Sequence, residues 1–157
     1  MIKVIPKKMF SWEFYLWEEQ DPIGSADYAW FRGSGWLVLP NAEYVINAGN
    51  AGNGPFELIA LDGRIASTQC ECVTFQHKYS VHYDSIEYTL KQESPLRRSF
   101  EVMDRGKYLG CIVPEKIQSR AAISDIPEDM PLFIRAFLIG LVINIWTKQT
   151  AGVDIID

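Results

Sequence analysis

Three cysteines and two histidines are the residues of this chain best suited to metal or nucleophilic chemistry, and their spacing favours neither. Cys70 and Cys72 lie two apart, which on a strand puts both on one face. A tetrahedral zinc site needs about four ligands, and only Cys111, His77 and His82 are left to complete it. Buried free thiols are therefore the expectation. His77 shares the parity of Phe75 and Tyr79 and is expected to face a core with its ring satisfied, whereas His82 falls on the solvated parity. Ser25 and Ser34 lack the flanks of a G-x-S-x-G elbow. The glycine-rich stretch from Gly49 to Gly54 (GNAGNG) would cradle phosphate only if a helix opened immediately after it. Pro55 and a strand pattern follow instead, so it reads as a hairpin loop. Asp125, Glu128 and Asp129 could serve as acid and base, but their place at the start of a helix already explains them. The residues thus predict no catalytic set, no metal and no cofactor.

Positive charge is what remains. Arg97, Arg98, Arg105, Lys107, Lys116 and Arg120 form the candidate ligand-binding patch in a chain of net charge −5. Between Ser11 and Leu90 there are three Lys/Arg against eleven Asp/Glu, and between Lys91 and Arg120 seven against four. Such asymmetry suits an anionic partner on one side, while the net acidity and the lack of any reading motif argue against nucleic acid. The competing reading is an ordinary solvated face, since neighbouring arginines on a strand point opposite ways and Arg105-Gly106-Lys107 has the form of a turn.

The elements that must position these residues are mostly strands. Phe10, Trp12, Phe14 and Leu16 share one parity. So do Val73, Phe75, Tyr79, Val81 and Tyr83, then Ile86, Tyr88 and Leu90, and later Ile117, Ser119, Ala121 and Ile123. Asp21-Pro22, Gly33-Ser34-Gly35, Pro40-Asn41, Asp62-Gly63, Ser94-Pro95 and Arg105-Gly106 punctuate them as turns. Phe56 to Ala66 (FELIALDGRIA) and Phe100 to Gly110 (FEVMDRGKYLG) read as one hairpin written twice. The sum is a β-meander of about ten to twelve strands.

Leu132 to Trp146 (LFIRAFLIGLVINIW) is different, being apolar all the way round. At about 1.5 Å per residue it reaches roughly 22 Å, short of the ~30 Å of bilayer hydrocarbon. Arg135 and Asn144 fall on opposite sides of it, leaving no polar face for water. It is expected to be a helix over about 130–148, wrapped by the strands, with Arg135 at the barrel mouth beside Asp125, Glu128 or Asp129. The tail from Gln149 is expected to fray or add a strand. Residues 1–157 make a single domain with a substantial core. The absence of a secretory signal or a disulfide framework predicts a cytoplasmic protein.

From Tyr88 onward the order Tyr88, Leu90, Pro95, Arg97-Arg98, Phe100, Val102, Gly106, Leu109-Gly110, Ile112, Pro114, Arg120, Ile126-Pro127, Asp129, Pro131-Leu132, Ala136-Phe137 and Trp146 resembles the LURP-one-related and tubby C-terminal-like proteins, a superfamily that includes the phospholipid scramblases. The resemblance covers roughly the last seventy residues. It implies a mainly β fold, a closed antiparallel barrel around a buried C-terminal helix. It supplies no catalytic set to carry over. Scramblase-like calcium and cysteine-rich motifs are missing.

These readings converge on a non-enzymatic binding or scaffold module in the cytoplasm or peripheral at a membrane, with no transmembrane span. Its expected ligand is an anionic phospholipid or phosphoinositide head group. The alternatives are a protein-interaction module, an enzyme with an unrecognised site, and a membrane-anchored scramblase-like protein.

Overall fold

Period-two alternation is realised as twelve strands in one antiparallel meander that closes on itself. They are β1 (Ile2–Pro6), β2 (Glu13–Glu18), β3 (Asp21–Asp27), β4 (Ser34–Leu39), β5 (Ala42–Asn47), β6 (Glu57–Ala60), β7 (Gly63–Cys70), β8 (Lys78–Tyr83), β9 (Ile86–Gln92), β10 (Phe100–Asp104), β11 (Lys107–Pro114) and β12 (Ala122–Ser124). β1 pairs with both β2 and β12, so no strand edge is left open. The computed structural model describes residues 1–71, 77–94, 96–117 and 119–156, setting aside the side chains of 51 and 150–156. The parts of the sequence reading that rest on Cys72, Val73, Phe75 and Pro95 lie outside the described residues.

Strand direction alternates, so the connections sort to two ends. Two-residue turns at Glu19-Gln20, Pro40-Asn41, Leu61-Asp62, Asp84-Ser85 and Arg105-Gly106 lie at one, the turn end. The connections β1–β2, β3–β4, β5–β6, β7–β8, β9–β10 and β11–β12 are longer and lie at the other, the loop end.

The hairpin written twice in the sequence is present three times. In β2–β3, β6–β7 and β10–β11 the register slips at Leu16/Trp17, Leu58/Ile59 and Val102/Met103. Each slip adds one residue to the returning strand: Ile23, Ile65 or Leu109. A bulge of this kind bends its strand and re-aims a side chain, and here all three extra residues pack against the core. Phe14, Phe56 and Phe100 occupy the equivalent buried position before each slip.

Inside runs α1 (Leu132–Ile156), with its N-terminus at the turn end. Ile134, Phe137, Leu138, Ile139 and Val142 have no exposed surface. The connection β3–β4 packs beside the helix: Tyr28 Oη donates to the Ala136 carbonyl at 3.0 Å, and the Trp30 ring lies 5.6 Å from that of Phe137. Gly140 makes room for that indole, since a Cβ there would stand 2.6 Å from Trp30 Cζ2.

Several expectations need correction. The helix is longer than its most apolar core, and Leu132–Gln149 is long and apolar enough to cross a membrane by composition alone. Length therefore does not settle its role; 72% of that stretch is buried inside the protein. The backbone beyond Gln149 continues as helix rather than adding a strand. Arg135 does lie toward the turn end, but its carboxylate is Glu18 of β2, at 3.1 Å, with the Met130 carbonyl accepting from Nε at 2.9 Å. Asp125 is engaged elsewhere, accepting from the Cys111 amide at 2.7 Å. The β12 side chains facing inward are Ala122 and Ser124, so the parity through Ile117 and Ile123 is the wrong one. Phe10 and Ile117 sit on exposed loops rather than in strands.

Candidate binding surface at the loop end

The six basic residues singled out in the sequence do not form one patch. Arg105 and Lys107 flank the β10–β11 turn at the turn end, where Arg105 faces Asp104 at 3.9 Å and adopts φ 52°. Arg97, Arg98, Lys116 and Arg120 lie on the loop end. Charge along the chain is not charge in space, because every turn of the meander reverses direction.

Arg98 and Arg120 are half-buried ties. Arg98 donates from Nη1 to the Ile117 carbonyl at 2.6 Å and from Nη2 to the Ser119 carbonyl at 2.7 Å. Its guanidinium stacks on Trp146 of α1 at 4.3 Å, and the Trp146 indole donates back to the Arg98 carbonyl at 2.8 Å. Arg120 repeats the device one loop further on, donating to the Ser11 and Met9 carbonyls at 2.7 and 2.5 Å over the Trp12 ring. Burial lowers both guanidinium pKa values, yet arginine stays charged throughout. The planar fork suits paired carbonyls in a way lysine cannot copy. Three loops that are neighbours around the rim, β9–β10, β11–β12 and β1–β2, are thereby locked together.

These loops carry Lys7, Lys8, Arg97, Arg98, Lys116 and Arg120 against only Glu93 and Glu115. Glu93 is paired with Arg97 and Glu115 with Lys3. At the turn end the balance reverses, with Glu19, Asp21, Asp62, Asp84, Asp104 and the 125–131 segment. The barrel is thus polarised along its axis.

The rim also bears what the sequence reading missed. Met9, Phe10, Leu96 and Ile117 are 80%, 86%, 96% and 87% exposed on these three loops; among the described residues only Leu61, at the opposite end, is comparably bare. The available signal was an apolar residue beside a basic one within a loop: Lys8-Met9-Phe10, Leu96-Arg97 and Lys116-Ile117.

Elsewhere the chemistry is sparse. Cys70 is exposed and disulfide-bonded, contrary to the expected buried free thiol. Cys111 is free and half-buried, and burial pushes its pKa up, which works against a thiolate. His77 is half-buried, and its Nδ1 finds no hydrogen-bond partner among the described residues, so it is not the satisfied core histidine expected. His82 is exposed, as its parity predicts. The GNAGNG loop is held by a cation: Lys148 of α1 donates to the Gly52 carbonyl at 2.7 Å and to Asn53 Oδ1 at 3.2 Å. A loop that turns carbonyls toward an ammonium is the opposite of a phosphate cradle. Among the described residues no three His, Cys, Asp or Glu side chains gather as they would around a metal ion. A groove of about 970 Å³ crosses the outer wall over β4–β6, lined by Trp36, Val38, Val45, Ile59 and Leu61. No family model, curated protein or solved structure matches the chain.

Proposed function

We propose that the protein is a non-enzymatic binding module of the tubby-like kind whose ligand is an anionic phospholipid surface, met by the loop end of the barrel. The observation that carries this reading is the axial separation of charge, with basic side chains concentrated on three interlocked loops. Near an anionic leaflet each such side chain contributes on the order of 1 kcal/mol, screened within a Debye length of about 8 to 10 Å. Two sets of charge reversals test it by co-sedimentation with phosphatidylserine-containing vesicles. Lys8→Glu, Arg97→Glu and Lys116→Glu together remove binding, because these side chains are exposed. Arg105→Glu with Lys107→Glu, at the far end, leaves it unchanged. Equal effects of the two sets, or wild-type recovery independent of anionic lipid, would overturn the proposal.

A protein-binding module is the second reading, favoured by the apolar groove over β4–β6. Its test is retention of a partner that Val45→Asp releases and the loop-end reversals do not.

A further inference from the structure

The charges explain attraction to an anionic surface but not why four large apolar side chains stand bare among them. Water penalises that exposure by about 25 cal/mol per Å². Away from these loops, among the described residues, only Leu61 is as bare. Isolated exposed apolar residues need no explanation, but three pairs of adjacent apolar and basic residues on three adjoining loops form a pattern. Each tip is set beside a cation: Met9 and Phe10 beside Lys8, Leu96 beside Arg97, Ile117 beside Lys116. The tips cannot retreat easily, because Arg98 grips the Ile117 carbonyl and Arg120 grips that of Met9.

Resting on the reading above, we infer that the loop end is a membrane-inserting face: Met9, Phe10, Leu96 and Ile117 enter the boundary between head groups and acyl chains, while Lys8, Arg97 and Lys116 remain among the head groups. This is the arrangement by which interfacial proteins combine apolar burial with attraction to anionic lipid. The helix axis then stands across the membrane plane, with the C-terminal half of α1 toward the bilayer and the acidic turn end farthest from it. Arg98 and Arg120 act as positioning residues, fixing the relative height of the three tips.

Insertion adds a component of binding that salt does not screen. At 1 M salt, where the Debye length is about 3 Å, the wild type therefore retains part of its binding to vesicles of phosphatidylcholine and phosphatidylserine. It also raises the surface pressure of a monolayer of the same lipids. Met9→Ser, Phe10→Ser, Leu96→Ser and Ile117→Ser, combined, abolish both the salt-resistant fraction and the monolayer insertion. Partitioning falls about tenfold or more for each large apolar side chain removed. All four side chains are exposed, so the thermal midpoint stays at the wild-type value. A serine variant that inserts and resists salt like the wild type overturns the insertion while leaving charge-driven docking in place. Wild-type protein that binds no anionic vesicle at any salt concentration overturns both.

Discussion

Arg98 and Trp146 hold each other twice: the guanidinium stacks on the indole at 4.3 Å while the indole N–H donates to the Arg98 carbonyl at 2.8 Å. The same arginine reaches the Ile117 and Ser119 carbonyls, so helix, β9–β10 loop and β11–β12 loop meet at one side chain. Arg98→Ala is expected to lower stability by about 2 kcal/mol, the scale of a charged hydrogen bond left without its donor. Arg98→Lys should recover little of this, because an ammonium lacks the fork. Chemical denaturation of the three proteins measures the difference.

Gly140 is predicted to reject even one methyl group. Glycine to alanine in mid-helix ordinarily stabilises by about 1 kcal/mol. Here the new Cβ would meet Trp30 at 2.6 Å and Tyr28 at 2.7 Å, both fully buried rings that have nowhere to move. Overpacking of this kind costs about 1–3 kcal/mol, so Gly140→Ala should lower the melting temperature despite its propensity. A raised melting temperature would show that the aromatic packing yields.

The Glu18–Arg135 pair should respond unequally to loss of its two members. Arg135 is nearly buried, with 6% of its side chain exposed, whereas Glu18 keeps 25%. Glu18→Ala strands a buried cation and should cost about 3–5 kcal/mol. Arg135→Met leaves a carboxylate that water can reach and an apolar side chain in an apolar site, so its cost should be smaller. Unfolding free energies of the two single variants decide the order.

How much of this was legible in the sequence follows from what each signal encodes. Alternation of Tyr79, Val81 and Tyr83, and of Ile86, Tyr88 and Leu90, reports one buried face, and those strands face inward as read. The buried helix was legible because Leu132 to Trp146 has no polar side. Alternation fails where a strand stops: Phe10 and Ile117 continue a parity on paper but lie past the ends of the strands. The basic patch failed for a different reason, since residues such as Arg97 and Arg105, close in sequence, are carried to opposite ends by a single strand. Arg98 and Arg120 could not be recognised as ties because their acceptors are backbone carbonyls, which have no sequence signature.

His77 provides a pH-dependent prediction. Burial, with a smaller contribution from the Lys148 charge, holds its pKa below the ordinary histidine value. The unfolded chain therefore binds a proton more readily than the folded one as pH falls below about 6.5. Stability from this residue is complete above that pH and is lost as pH drops through the folded-state pKa. Denaturation of wild type and His77→Asn between neutral pH and pH 5 should show a shallower decline in the variant. Parallel declines would assign the acid sensitivity to other groups.

The seam between β1 and β12 ties the order of folding to the order of the chain. Ile2 pairs with Ser124, so the first strand has only one partner until nearly all the others exist, and the cylinder around α1 cannot close before then. Contacts this distant in sequence form slowly, since the intervening chain must first be gathered. Before α1 is made, the growing sheet is expected to be a curved ribbon with two open edges and an unfilled apolar inner face. Such a nascent chain depends on shelter from self-association for as long as the helix is still unmade.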